Sequence, residues 1–176
     1  DVQPDFMALA KGMTGGYLPM AATLTSGPVF EAFLGDYAEF RTFFHGHSYT
    51  ANQLGAAVSL ASLHLLDSVE SKRRRLRLEQ DMSAQLARLW RLPQVGDIRQ
   101  VGLVAGIELV KDWRARVPFD LRDRAGMRVC EAMALRGVLT RPIGNVLVIM
   151  PPYCVTSDQM EQIADELLRA IQSSLQ

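Results

Sequence analysis

Apolar residues recur along this chain in two spacings, short runs edged by glycine or proline and longer stretches with a three-to-four residue repeat. The first form predicts strands and the second helices. Phe6 to Ala10, between Pro4 and Gly12, reads as a buried strand. Leu18 to Thr25 reads as a second, and Ser26-Gly27-Pro28 starts a short helix with Ser26 as cap and proline in its first turn. Phe33 to Tyr37 leads into a polar, aromatic loop ending near His45. From about Asn52 to Asp67, Leu54, Ala57, Val58, Ala61 and Leu65 fall at helical spacing. Ser68 to Leu92 reads as one long helix with Leu78, Met82, Leu86 and Leu89 as its buried stripe and Pro93 at its end.

Past Pro93 the period changes. Gly96 to Val110 predicts two strands around Val101-Gly102, and Asp112 to Pro118 a loop. Arg122 to Arg136 predicts a helix with Val129, Cys130 and Met133 inward and Gly137 closing it. Val138 to Thr140 and Val146 to Met150 predict a strand pair around the turn Pro142-Ile143-Gly144-Asn145. Thr156 and Gln159 form a capping-box pattern ahead of a last helix that buries Met160, Ile163, Leu167 and Ile171.

Composition narrows the chemistry. The 176 residues are 48% hydrophobic and 22% charged, ordinary for a globular chain able to bury a core. Nineteen basic and nineteen acidic residues cancel, so no overall field favours nucleic acid or an acidic membrane. The basic run Lys72-Arg73-Arg74-Arg75 with Arg77 is interleaved with Glu70, Glu79 and Asp81 and reads as a solvated helix face. Cys130 and Cys154 have no metal-ligand spacing and no disulfide framework; both are expected to be reduced and buried, with no metal site. No apolar run reaches the roughly 20 residues needed to span a bilayer, and a cytoplasmic setting is expected. The first residue is not methionine, and the chain is expected to be a piece of a longer one.

Three places carry candidate chemistry. Lys11 stands at the end of an apolar strand, before a loop containing Gly12, Gly15 and Gly16. It reads either as a lysine where a strand meets solvent or as an amine presented to an aldehyde, glycines allowing the backbone to approach a ligand. Gly46-His47-Ser48-Tyr49-Thr50 precedes a helix, where a hydroxyl and unpaired amides either cap the helix or hold a phosphate. Arg141, between a β-type tripeptide and a proline turn, is either a surface residue or a guanidinium fork for a carboxylate.

Ala10-Lys11-Gly12-Met13-Thr14-Gly15-Gly16-Tyr17-Leu18-Pro19 resembles the cofactor-lysine segment of the class III, pyridoxal-phosphate-dependent aminotransferases. Phe43 to Gln53, the Ile98-to-Glu108 pattern, Arg141-Pro142-Ile143-Gly144-Asn145 and Met150-Pro151-Pro152-Tyr153 extend the resemblance over essentially all of the chain, and the last two bring it nearest to the biotin-pathway members. Tyr153 stands where general members carry leucine, and His47 where many relatives carry proline.

The resemblance implies an α/β protein of the fold-type I class. Residues 1–67 would be the remainder of the large cofactor-binding domain, and 68–176 a linking helix with the small α+β C-terminal domain. It implies pyridoxal 5'-phosphate as cofactor and Lys11 as the catalytic residue, in contact with cofactor and substrate. Ser48 would bind the cofactor phosphate across a homodimer interface, with His47 a backbone contact. Gly46, Arg141 and Tyr153 would line the substrate site, Arg141 on the carboxylate. The implied reaction carries an amino group from S-adenosylmethionine or lysine to 8-amino-7-oxononanoate. The acidic partner of the cofactor ring nitrogen and the ring-stacking aromatic are expected upstream of Asp1. Two rival readings are another class III ω-aminotransferase, against which Met150 to Tyr153 weighs, and a non-catalytic dimerisation partner.

Overall fold

The computed structural model of the chain describes residues 2–175, so the outer limits expected for the two domains, Asp1 and Gln176, lie outside the described residues. By internal contacts the chain divides into two units, Asp1–Ser71 and Lys72–Gln176.

In the first unit, β1 (Phe6–Leu9) and β2 (Ala22–Thr25) form an antiparallel ribbon with Phe6 opposite Thr25 and Leu9 opposite Ala22. The sequence predicts a buried strand at Phe6, but the whole of β1 is exposed and Phe6 keeps 62% of its surface. A ribbon of two strands cannot cover its own faces. β2 begins at Ala22, four residues later than its apolar pattern suggests; Leu18 to Ala21 leave the turn without ladder bonds. α1 (Gly27–Glu31) follows with Pro28 in its first turn; Ser26 stands at the N-cap position as expected, but its hydroxyl makes no capping bond. The loop beyond is tightened by a 3₁₀ turn at Tyr37–Glu39, where Asp36 and Glu39 make a capping box.

α2 (Gln53–Asp67) is the principal helix of this unit. Its cap is Asn52, whose Oδ1 accepts from the N–H groups of Leu54 and Gly55 at 3.0 and 3.3 Å. The expected apolar stripe is not the face it buries: Leu54 and Leu65 are 72% and 71% exposed, whereas Gly55 and Ser59 are buried. Small residues win because α2 packs against backbone, the loop that follows Lys11, where a larger side chain would hold the two apart. A Cβ on Gly55 would sit 3.1 Å from Met20 Sδ.

The second unit has a complete core. α3 (Val69–Ala87, its first residues counted with the first unit) runs into a 3₁₀ turn at Arg88–Arg91, and together they bury Leu78, Met82, Leu86 and Leu89 as their spacing predicts. An antiparallel sheet follows, in the order β3-β4-β7-β6. β3 (Val95–Val101) and β4 (Val104–Asp112) turn at Gly102, whose φ is +57°. β5 (Val117–Pro118) pairs with the end of β4, within the segment expected to be loop. β6 is Arg141–Ile143 and β7 Val146–Ile149. The pair is therefore offset from the expected one: Ile143 opposes Val146, Gly144 (φ +60°) and Asn145 make the turn, and Arg141 lies in the strand, opposite Val148.

Alternation along β4 and β7 sends Ala105, Ile107, Leu109, Leu147 and Ile149 to one face. α4 (Ala125–Ala134) adds Val129, Cys130 and Met133, and α5 (Ser157–Ser174) adds Met160, Leu167 and Ile171. α4 starts three residues later than predicted because Leu121–Asp123 is a separate 3₁₀ turn. The expected capping box is formed in full, Thr156 Oγ1 accepting from the Gln159 N–H and Gln159 Oε1 from the Thr156 N–H.

Candidate active site

Candidate residues occur in both units, and each group is built by its own unit.

In the first, β1 ends at Leu9 and Lys11 opens a 3₁₀ turn, Lys11–Thr14. Lys11 has φ +52°, a left-handed conformation that costs a non-glycine residue roughly 1–2 kcal/mol. Gly15 (φ +61°) and Gly16 (φ +86°) complete the reversal. Thr14, 2% exposed, holds the loop from inside, its hydroxyl donating to the Leu18 carbonyl at 2.6 Å. α2 holds it from beneath: Ser62 Oγ donates to the Gly12 carbonyl at 3.2 Å, and Ser59 Oγ lies 3.1 Å from Met20 Sδ. Lys11 itself is exposed, not enclosed by apolar side chains. It lines an open concavity of about 700 Å³ with Thr14, Gly16, Tyr17 and Leu18. Thr14, Ser59 and Ser62 were not singled out by the sequence. The available signal was two hydroxyls three residues apart within the apolar middle of the helix, Leu54 to Leu63.

Gly46, His47 and Ser48 are exposed in the loop before α2. His47 Nδ1 accepts the Tyr49 N–H at 3.2 Å, and the His47 carbonyl accepts the Thr50 N–H at 3.0 Å. The imidazole is thus occupied as a local backbone acceptor. Neither Ser48 nor Thr50 caps the helix, since Asn52 does, and Ala51 at φ +59° turns the chain between them and α2. The Ser48 hydroxyl therefore does not stand on the amides that open its own helix.

In the second unit, β6, β7, the Met150-to-Val155 segment and the start of α5 enclose a cleft of about 800 Å³. Val138, Leu139, Val148, Ile149, Pro151 and Val155 contribute its apolar wall, Gln159 and Gln162 add amides, and Arg141 is the only charged side chain among its lining residues. Arg141 is fixed through its strand: Thr140 Oγ1 donates to the Val148 carbonyl, and the Asn145 amide donates to the Phe119 carbonyl at 2.7 Å. One cation in an apolar groove suits a carboxylate on an aliphatic body. Tyr153 adjoins this wall, 53% exposed, with the Arg75 guanidinium 5.5 Å from its ring centroid.

The two cysteines, both expected to be buried, differ from one another: Cys130 meets the expectation and Cys154 does not. Cys130 is buried, and burial, helped by the charge of Glu131, pushes its thiol up to about 11. Cys154 is exposed at the cleft. The Arg122 amide and guanidinium hold the exposed Asp120 carboxyl below its ordinary value.

The chain belongs to the aminotransferase class-III family, whose model matches residues 1–171. Its fold is that of the fold-type I, pyridoxal-phosphate-dependent enzymes, of which it is a part. The adenosylmethionine-8-amino-7-oxononanoate aminotransferase of Anoxybacillus flavithermus is 48% identical over 97% of this chain. That of Geobacter sulfurreducens is 46% identical over 97%. The crystal structure of the Methanocaldococcus jannaschii enzyme of that name superposes with TM-score 0.89 at 38% identity, over 98% of this chain and 39% of its own. The chain spans 38% of the length of the first two relatives.

Enzymes of this family use pyridoxal phosphate, and the residues present fit it. The Lys11 amine borders a concavity of a cofactor's size, and a Cβ on Gly12 or Gly16 would meet nothing within 4 Å, which leaves room beside the lysine.

Proposed function

We propose that this chain is the later part of a pyridoxal-phosphate-dependent aminotransferase that converts 8-amino-7-oxononanoate to 7,8-diaminononanoate in biotin synthesis, with S-adenosylmethionine as the amino donor. Residues up to about 67 belong to the large cofactor domain and the rest to the small domain. The protein works in the cytoplasm as a homodimer with shared sites. The observation that carries the substrate reading is Arg141, one cation at an apolar cleft of about 800 Å³, which matches an acceptor with a carboxylate at one end of an alkyl chain. The names of the relatives support the same reading.

When bound, pyridoxal phosphate supplies an aldehyde carbon that takes the donor's amine and a ring that withdraws electrons from it. Lys11 would hold the cofactor through Nζ, and the free amine of Lys11 is the base that takes the proton from the donor's amine-bearing carbon. In the second half of the cycle Lys11 Nζ gives a proton to the former ketone carbon of the acceptor. Arg141 orients the acceptor by pairing its guanidinium with the carboxylate. Ser48 would hold the cofactor phosphate of the partner protomer through its hydroxyl, with His47 keeping the loop in shape through its ring nitrogen. Gly46 and Tyr153 border the substrate. The 176 residues span 38% of the length of these relatives, and alone they are expected to turn over no substrate.

The test is the absorbance spectrum of the full-length protein with pyridoxal phosphate, with and without Lys11→Ala, followed by S-adenosylmethionine. A visible band that requires Lys11 and bleaches with that donor is expected. A band that survives Lys11→Ala refutes the lysine's role; a band that needs Lys11 but bleaches only with lysine reassigns the donor.

A further inference from the structure

The basic run at the start of α3 reads from sequence as a solvated face, yet two of its arginines reach across the second unit to a single short segment. Arg74 Nη2 donates to the Cys154 carbonyl at 3.3 Å. Arg75, half-buried, lays its guanidinium over the Tyr153 ring at 5.5 Å. Seven residues beyond Arg74, Asp81 accepts from Ser157 Oγ at 2.8 Å. Arg74, Leu78 and Asp81 are four and three residues apart and so lie on one face of the helix, with Leu78 buried between the two polar contacts. One face of α3 therefore tracks the chain from Tyr153 to Ser157.

The tracked segment has little else to fix it before Val155. Pro151 and Pro152 stiffen its approach, and the Val155 N–H closes a turn on the Pro152 carbonyl at 3.0 Å. Val155 is buried and Thr156 begins the cap of α5, so the far end is anchored. Between them Tyr153 and Cys154 bulge outward, both exposed. A bulge pinned only at its ends leaves its ring free to turn. The two arginines remove that freedom, one through the main chain after the ring and one through the ring's face.

We infer that Arg74 and Arg75 are positioning residues that hold Tyr153 against the cleft of Arg141, and so set affinity for the keto acceptor without acting on the chemistry. The inference rests on the reading of Tyr153 as a substrate residue. A guanidinium on an exposed ring and a charged hydrogen bond to a carbonyl are each modest, so loss of either raises the acceptor KM by about fivefold.

The test uses the full-length enzyme with 8-amino-7-oxononanoate and S-adenosylmethionine, and the variants Arg75→Leu, Arg75→Lys, Arg74→Gln and Tyr153→Leu. Arg75→Leu and Arg74→Gln are expected to raise the acceptor KM at unchanged kcat, with the donor half-reaction and the melting temperature unmoved. Arg75→Lys, which keeps a cation over the ring, recovers most of the loss. Amide exchange at Cys154 and Val155 is expected to quicken in Arg74→Gln. If Tyr153→Leu raises the acceptor KM and neither arginine variant does, the clamp is refuted while the substrate reading stands. If Tyr153→Leu leaves that KM unchanged, the reading of Tyr153 fails and takes the clamp with it. Arginine variants that lower kcat and melting temperature together refute positioning in favour of plain structural support.

Discussion

At the scale of single residues, the two cysteines give the sharpest contrast. Cys130 sits in the core beside Met133 and Val129, and its thiol is pushed up to about 11, so at pH 8 only about one part in a thousand is thiolate. Iodoacetamide at that pH is expected to label Cys154 and to spare Cys130 until the chain is denatured, as peptide mass mapping would report. The sign of the pH effect follows from the same shift. A thiol whose folded value lies above its unfolded one adds stability that is fully present below the ordinary value of 9.0 and is lost as pH rises toward about 11. Alkaline unfolding followed by circular dichroism is expected to show that fall between pH 9 and 11, and Cys130→Ala to lack that component. The local setting of Lys11 was legible in the sequence, since a strand ends at Leu9 and a turn containing Gly12 follows. The setting of Cys154 was not legible, because its exposure depends on a bulge held by a helix some 80 positions earlier.

Elements were read well where one amphipathic pattern met one core. α3, α4 and α5 bury the stripes their spacing predicts, Ile163 only in part, because all three contribute to one core. α2 was misread for a physical reason: its large apolar residues point outward and its small ones pack on the Lys11 loop. Spacing alone cannot say which of two faces a helix buries. β6 begins three residues later than expected, and Gly126, in the first turn of α4, admits the β6–β7 turn at backbone distance. A Cβ there would collide with the Gly144 carbonyl and come within 2.7 Å of Pro142 Cβ. Gly126→Ala is therefore expected to cost about 1–3 kcal/mol, the range for overpacking a filled site. It should also move β6, and Arg141 with it. Thermal unfolding of the variant checks the first effect, and the acceptor KM of the full-length enzyme the second.

At the scale of the whole molecule the two units are unequal. Residues 72–175 enclose a core in which Met82, Leu89, Ile107, Leu109 and Met133 lose essentially all contact with solvent. The first unit leaves Phe6, Phe30, Phe40, Phe43 and Phe44 largely exposed. Residues 72–176 expressed alone are expected to unfold cooperatively with heat, and residues 1–71 alone to show no transition by calorimetry. A broad, non-cooperative melt of the larger piece would contradict this. The inequality extends to sheet edges. One edge of the second unit's sheet is β6, three residues long with Pro142 at its centre, so a strand arriving there finds one amide missing; the other edge is β3, which begins at the buried Val95. The β1–β2 ribbon has no proline in either strand, and β1 lies open to solvent. Any fibril that forms in an ageing sample of the isolated chain should thus grow from residues 6–25, and its protease-resistant kernel should carry the very segment that holds Lys11.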